Sequence, residues 1–512
     1  MSGVDGITAI LETVKEEAFV SLFLSRPKGR LLTIAQKPVS EFVMPKPRYQ
    51  PAPIHLQLGS AFYDPVRPAE FPQHILRYRN DVAAADIGLQ GLSDADFIRH
   101  FGQFEPLADN IPEPLALRYH GHQFGVYNPE IGDGRGFLFA QCTSATDGRI
   151  LDLGTKGSGR TPYARTADGR LTLKGAVREL LATEMLTALN VPTSSTFCVI
   201  ETGESLERHD EPSPTRSAVL TRLLHCHIRI GSFQRLAYLR QYDNMEILLR
   251  HAVRHHYPEL DADDMLTDLV PAFLSRLASR IARMVAGWMA AGFVHGVLNT
   301  DNFNITGESF DYGPWRFLPA MQPEFTAAYF DQQQRYAYGR QPEAALWALC
   351  RLADCFQTIL DTEALGAALG NYWTEIETEI ARAICWRLGV TAEDSAAQAL
   401  TSQLFQAAGQ SGIGWDQLFK DLYGGRLAAD EKTRALWQQH EGLSALAEQA
   451  AHLPFRQRDT GAIADIKAAP LVTMEISVME GVWAPIADSD NWQPLEDMLA
   501  AIRAHGANLK KP

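Results

Sequence analysis

The 512-residue sequence predicts an α+β fold in two lobes, a β-rich N-lobe with one key helix and a mainly helical C-lobe. Three observations predict it. Short apolar runs separated by turn signals crowd residues 115–225, helical periodicity takes over from about 235, and polar loop sequence occupies 295–320. Glycines in the first part and polar loops beyond the join suggest a cleft between the lobes.

The elements follow in order. Residues 1–110 carry little chemistry and are expected to form an N-terminal extension, with the proline-rich stretch 46–53 as an extended strap. Residues 111–234 form the expected N-lobe. Phe137–Thr143 and Ile150–Lys156 alternate like strands, and Asp147-Gly148 between them is a hairpin signal. Lys174–Leu189 carries Val177, Leu181 and Met185 on one helical stripe, and Asn190 and Pro192 mark its end. Phe197–Ile200 and Ser217–Leu223 are two further strands. Residues 235–460 form the expected C-lobe. There Pro271–Ala291 has Leu277, Ile281, Met284, Val285 and Trp288 at helical spacing with Gly292 as its cap, and 340–450 is mostly helical. Residues 461–512 remain as a tail.

Composition excludes several classes. Hydrophobic residues make up 46% and charged residues 21%, an ordinary globular balance. Lys and Arg number 47 against 61 Asp and Glu, a net charge of −14 that disfavours a nucleic-acid partner. No CxxC or zinc spacing links the six cysteines, so reduced thiols are expected. The N-terminus has acids where a leader would carry arginines, and Met284–Leu298 is too short to span a bilayer. A cytoplasmic protein with no membrane partner is the expectation; oligomeric state is open.

The charge is unevenly placed. Between Arg135 and Arg178 eight basic residues face three acidic ones, a local excess of five positive charges. A solvated hairpin face balanced by distant acids is the commoner fate of such a run. Three clusters favour an anion instead. In Gly132-Asp133-Gly134-Arg135-Gly136, glycines let backbone amides approach a phosphate and an arginine adds a charged fork. The chain has no Gly-Lys dipeptide, so a classical P-loop is excluded. Lys156 ends the second strand, and Glu179 lies 23 residues on inside a helix, a separation that suits the strand-lysine and helix-glutamate pair of kinase-type sites.

The third cluster is the most specific. His295-Gly-Val-Leu-Asn-Thr-Asp-Asn302 followed by Asp311-Tyr312-Gly313 has the spacing of a kinase catalytic loop and its downstream metal aspartate. Asn302 and Asp311 then supply hard oxygen ligands for Mg²⁺. Val297 falls where the kinase base belongs, and a hydrocarbon accepts no proton. His120 with His122, and His225 with His227, have no further ligand at a suitable spacing, so packing roles are expected.

Taken with LRYHGHQFG (117–125), KGSGRTPYAR (156–165), Asp168-Gly169-Arg170 and HIRIGSFQ (227–234), these motifs resemble the selenoprotein O (SelO) family over residues 115–350. The resemblance implies a protein-kinase-like (pseudokinase) fold and protein adenylylation. ATP would bind in a flipped orientation and AMP would pass to Ser, Thr or Tyr hydroxyls of protein substrates, with Mg²⁺ or Mn²⁺ as cofactor. It implies that Gly132, Gly134, Arg135 and Lys156, oriented by Glu179, hold phosphates, with Arg222 and Arg229 completing the pocket. Asp168 and Gly169 would line the nucleotide, Asn302 and Asp311 ligate the metal, and Asp301 accept the proton. Asp301 could equally be an orienting group. The residues by themselves leave open a kinase-type phosphotransferase or an inactive ATP-binding scaffold. Members of the family commonly carry a C-terminal cysteine or selenocysteine; none follows Cys385 here, so redox control through the tail is not expected.

Overall fold

The computed structural model describes residues 48–511, apart from 210, 429 and 458–460. The chain folds as a mixed α/β protein, in which an antiparallel sheet is followed by a long helical region. The strands are β1 (Tyr63–Pro65), β2 (Ile75–Arg79), β3 (Leu115–Leu117), β4 (Gly121–Gln123), β5 (Val126–Asn128), β6 (Leu138–Thr143), β7 (Ile150–Lys156), β8 (Leu171–Thr172), β9 (Ser195–Leu206) and β10 (Thr215–Leu224). The large sheet runs β1-β3-β6-β7-β10-β9-β2, with β8 beside β10, while β4 and β5 form a separate hairpin. Both ends of that order come from residues before 80. Pro51 bridges Cys142 alongside β6, so the strap joins the sheet; Lys46 and Pro47 lie outside the described residues.

Two short helices, α1 (Asp81–Asp86) and α2 (Asp94–Phe101), precede the helix of the first half, α3 (Leu173–Ala188). Thr172 caps α3 by accepting the N–H of Gly175, and the chain leaves it through Asn190 at φ 61°. Residues Ala176, Leu180 and Thr183 are buried with Val177, Leu181 and Met185, so α3 hides more than the single stripe. On the sheet's other face, Phe97 and Phe101 of α2 pack against Phe139 and Phe197.

The helical region opens with α4 (Ile230–Tyr238), α5 (Tyr242–His256) and α6 (Leu266–Ala291). Helix α6 starts five residues before the expected Pro271, which sits inside it, because Leu269 and Val270 extend the buried stripe upstream. Gly292 ends it at φ 70°, where it caps carbonyls of the last turn. Residues 295–320 are largely loop, and α7 (Gln341–Ala353) follows. Helices α8 (Thr362–Leu369), α9 (Tyr372–Leu388), α10 (Asp394–Ser411), α11 (Trp415–Asp421), α12 (Glu431–Gln438) and α13 (Glu441–Ala451) complete this part. One hydrophobic core unites Leu180 and Met185 of α3 with Ile281 and Trp288 of α6 and Ile380 of α9.

The tail is helical too, as α14 (Gly461–Ala468), α15 (Ile476–Ser489) and α16 (Gln493–Lys510). It returns to α3. Glu480 meets Lys174 at 2.8 Å, Arg503 meets Glu184 at 2.9 Å, and Lys510 donates to the Thr187 carbonyl at 2.8 Å. All six cysteines are buried and free. No helix among the described residues is long and apolar enough to cross a membrane.

Candidate active site

Strand register places the first two cations. Leu220 pairs with Lys156 and Arg222 with Gly154 across β10 and β7. Residues two apart on a strand share a face, so Lys156 and Arg222 project from the same side. Helix α3 crosses behind them. Lys156 Nζ lies 2.6 Å from Glu179 Oε2 and 2.8 Å from Asp311 Oδ1, with the lysine and glutamate side chains almost wholly buried. Arg222 Nη2 reaches the same Asp311 oxygen at 3.4 Å, and Arg229, at the start of α4, reaches Oδ2 at 3.3 Å. Three cations from β7, β10 and α4 thus converge on one carboxylate.

Burial alone pushes the Asp311 carboxyl up, but Lys156, Arg222, Arg229 and Arg135 together hold it well below the usual carboxylate range. Its backbone is in the left-handed region, φ 61°, a conformation costly for a non-glycine residue and characteristic of functional loops. His295 helps to hold that loop, with Nε2 3.0 Å from the Phe310 carbonyl. Arg178, beside Glu179 on α3, donates to the carbonyls of Gly313 and Trp315 at 3.3 and 3.2 Å.

Asp301 and Asn302 sit in a turn of 3-10 helix, Thr300–Asn302. Arg229 Nη1 donates to the Asp301 carbonyl at 2.8 Å, and the Asn302 amide donates to the Val297 carbonyl at 2.9 Å. That bond leaves the Asn302 side-chain oxygen as an acceptor. Burial raises the Asp301 carboxyl to about 6, against the pull of Arg229. Among the described residues its Oδ1 has no hydrogen-bond partner, and neither do Nη1 of Arg222 and Nε of Arg229. Unpaired buried polar atoms are costly, and such a set suits a polar ligand. A Cβ on Gly121 would lie 3.1 Å from Asp301 Oδ1, so the β4–β5 hairpin passes directly against the carboxylate.

The glycine-rich turn has a packing reason as well. A Cβ on Gly132 would fall 2.5 Å from the Tyr163 ring, and one on Gly134 3.0 Å from the Tyr163 carbonyl. Arg135 is exposed, and its carbonyl accepts the N–H of Gly157 at 2.7 Å. Asp168 and Gly169 bond to partners outside the Asp311 group. The Asp168 carboxylate meets Arg208 at 2.8 Å and caps the N–H of Arg170 at 2.9 Å. Gly169 lies against Gly159, whose N–H its carbonyl accepts at 3.2 Å, and so closes the turn after Lys156.

Two contributors escape the sequence reading. Asp133 is buried, with Oδ1 3.4 Å from Arg229 Nη2 and Oδ2 accepting the Leu117 N–H at 3.0 Å; burial raises its carboxyl. Its place inside the glycine turn is the only sequence signal. Arg178 is the other, and its adjacency to Glu179 is the signal. The histidine pairs are accounted for by hydrogen bonds: His120 to Tyr127, His122 to Gln234, His225 to the Ile150 carbonyl and His227 to Asp152.

Asp311 lies among Lys156, Arg222 and Arg229, and the Asn302 amide oxygen is left as an acceptor; carboxylate and amide oxygens are hard donors of the kind that suit Mg²⁺. Among the described residues no group of three or more His, Cys, Asp or Glu forms an all-protein metal cage.

The family model described as protein adenylyltransferase SelO matches residues 46–503. The protein nucleotidyltransferase YdiU of Trichormus variabilis is 41% identical over 480 residues, covering 88% of this chain and 94% of that relative. Its namesake from Synechocystis sp. is 41% identical over 468 residues, covering 87% and 96%. The Vibrio cholerae protein of the same name is 34% identical over 367 residues, covering 71% and 73%.

Proposed function

The chain belongs to the SelO family of protein adenylyltransferases and is a nucleotidyltransferase; on that premise we propose that it moves AMP from ATP to hydroxyls of protein substrates, on a two-lobed kinase-like frame. The observation that carries this is the convergence of Lys156, Arg222 and Arg229 on Asp311, with N–H groups of both arginines still unpaired among the described residues. In the proposed reaction an acceptor hydroxyl attacks the α-phosphorus, the bond to the β-phosphate's bridging oxygen breaks, and pyrophosphate leaves. Negative charge grows on that leaving group. Fixed cations already in place stabilise it without reorganising.

Asp301 is proposed to take the hydroxyl proton. Its unpaired oxygen and raised pKa suit a base working near neutrality. Asn302 and Asp311 are proposed to hold Mg²⁺, or Mn²⁺ in its place, which when bound supplies Lewis-acid polarisation of the phosphates. Gly132, Gly134 and Arg135 are proposed to border the phosphates, and Asp168 and Gly169 to close the turn on the nucleotide's side. Glu179 orients Lys156 throughout. The cytoplasm, where ATP and reduced thiols coexist, is the proposed compartment.

Incubation with α-³²P-ATP and γ-³²P-ATP in parallel tests the reading. Label on protein from the α position only is expected. Label from γ only would establish a phosphotransferase instead, and none from either an inactive scaffold.

A further inference from the structure

Beside the Asp301 turn lies an aromatic ledge that the proposed chemistry does not use. Tyr329 is 82% exposed and Phe330 48%, and their rings sit 5.2 Å apart. Phe330 contacts Phe124 at 5.7 Å, and Phe124 contacts Tyr336 at 5.1 Å. Val126, 71% exposed, follows two residues after Phe124 in the same hairpin. Soluble proteins rarely gather exposed aromatic side chains at one place unless something covers them.

The underside of the ledge is rigid, and it is tied to the reaction turn. Phe124 takes φ 50°, a left-handed conformation unfavourable for a bulky residue, and its N–H donates to Asn299 Oδ1 at 3.0 Å. The Tyr336 hydroxyl donates to the same oxygen at 3.0 Å. Asn299 stands two residues before Asp301, so both segments of the ledge are fastened to the turn that carries the proposed base. Asp331 accepts the N–H groups of Arg335 and Tyr336 at 2.9 and 2.8 Å, fixing the fold of the second segment. The Arg335 guanidinium packs against Gly125 and locks the two together. His122 adds a third tie, its N–H donating to Thr300 Oγ1 at 2.8 Å. Phe330 rests on Phe124, whose backbone is tied to Asn299, so these two rings lose little conformational freedom when covered, as interface anchors require.

We propose that this ledge, Phe124, Tyr329 and Phe330, is the docking surface for the acceptor protein, and that it selects hydroxyls flanked by an aromatic or large aliphatic side chain. The inference rests on the adenylyl-transfer reading, because only an acceptor bound beside Asp301 would be covered there. Continuity with the reaction turn identifies the occupant: a segment whose hydroxyl reaches Asp301 must lie across the neighbouring surface. An apolar side chain next to that hydroxyl then leaves water for the rings. Differences of one such contact are worth about tenfold in kcat/KM.

The test is a library of Ser-centred peptides, randomised at the flanking positions, incubated with the full chain, Mg²⁺ and α-³²P-ATP. Enrichment of aromatic and aliphatic residues next to the labelled serine is expected. A Tyr329→Ser, Phe330→Ser double variant is expected to lose that preference about tenfold while binding ATP as the parent does. Both positions are exposed, and a thermal melt confirms that the variant folds. Equal labelling whatever the flank, a preference unchanged in the double variant, or label confined to folded proteins each overturns the ledge and leaves adenylyl transfer standing. Absence of α-label from every peptide and protein overturns the transfer reading, and the ledge with it. Sedimentation separates the remaining occupant: a self-association abolished by the double variant would assign the ledge to a second copy of the chain.

Discussion

Asp311 shows how much of the site depends on single residues. It meets Lys156, Arg222 and Arg229 at once, and each cation comes from a different element. Asp311→Ala is expected to abolish adenylyl transfer, measured with α-³²P-ATP, since it removes both the proposed metal oxygen and the carboxylate that gathers the cations. Asp301→Asn keeps the shape and removes the proposed proton acceptor. Its transfer rate should fall by about 10²–10⁴ with ATP affinity unchanged by calorimetry; a rate within threefold of the parent would make Asp301 an orienting group. The meeting of Lys156 with Glu179 was legible in the sequence because their spacing is set along the chain by a strand and a helix, and the loop spacing pointed to Asp311, which meets the same lysine. Asp133 was not. Its work is to meet Arg229, 96 residues away, and no local pattern encodes that meeting.

At the scale of elements, α3 connects the site to the rest of the molecule. Glu179 fixes Lys156, Arg178 holds the loop after Asp311, and the outer surface is gripped by α15 and α16. Trp483 and Trp492 pack on the cluster formed by Leu171, Leu173 and Ala176. A Cβ on Gly506 of α16 would lie 2.8 Å from the Ala188 Cα, which is backbone and cannot yield. Gly506→Val is therefore expected to cost about 1–3 kcal/mol of stability by overpacking. A lower urea midpoint and slower transfer would appear together, because α3 carries Glu179. Gly481 of α15 is the converse. It is exposed, with open space where a Cβ would stand. Gly481→Ala should raise stability by about 0.5–1 kcal/mol through helix propensity, leaving transfer unchanged. The role of the tail was invisible in the sequence, since its partners lie some 300 residues upstream.

At the scale of the whole molecule, the joint of sheet and helices buries several histidines in their neutral form. Burial lowers His55 and His256 to about 4 and His251 to about 2. Each ionises near 6.5 once unfolded, so below that pH the unfolded chain binds protons the folded one refuses. Stability should be level above pH 7 and decline as pH falls from 6.5 towards 4. Urea midpoints at pH 8, 6.5 and 5 check this; equal midpoints at 6.5 and 5 would contradict it.

By itself the sequence determined the hairpin of β6 and β7, helix α3, strands β9 and β10 and most of helix α6, the local surplus of positive charge, and the lysine, glutamate, asparagine and aspartate spacing on which the proposed phosphate and metal site rests. Those features are written in neighbours along the chain, through side-chain alternation, helical period and turn chemistry. Only the tertiary structure decided which cations share Asp311, that Asp133 meets Arg229 and Arg178 the loop after Asp311, that Asp168 pairs with Arg208, and that the tail grips α3. These are contacts between distant segments. They are set by strand register and by apolar clusters between distant segments, one joining α3 to the helical region and another packing Leu173 and Ala176 on Val199, Ala218 and Leu220, neither of which any stretch of sequence contains alone.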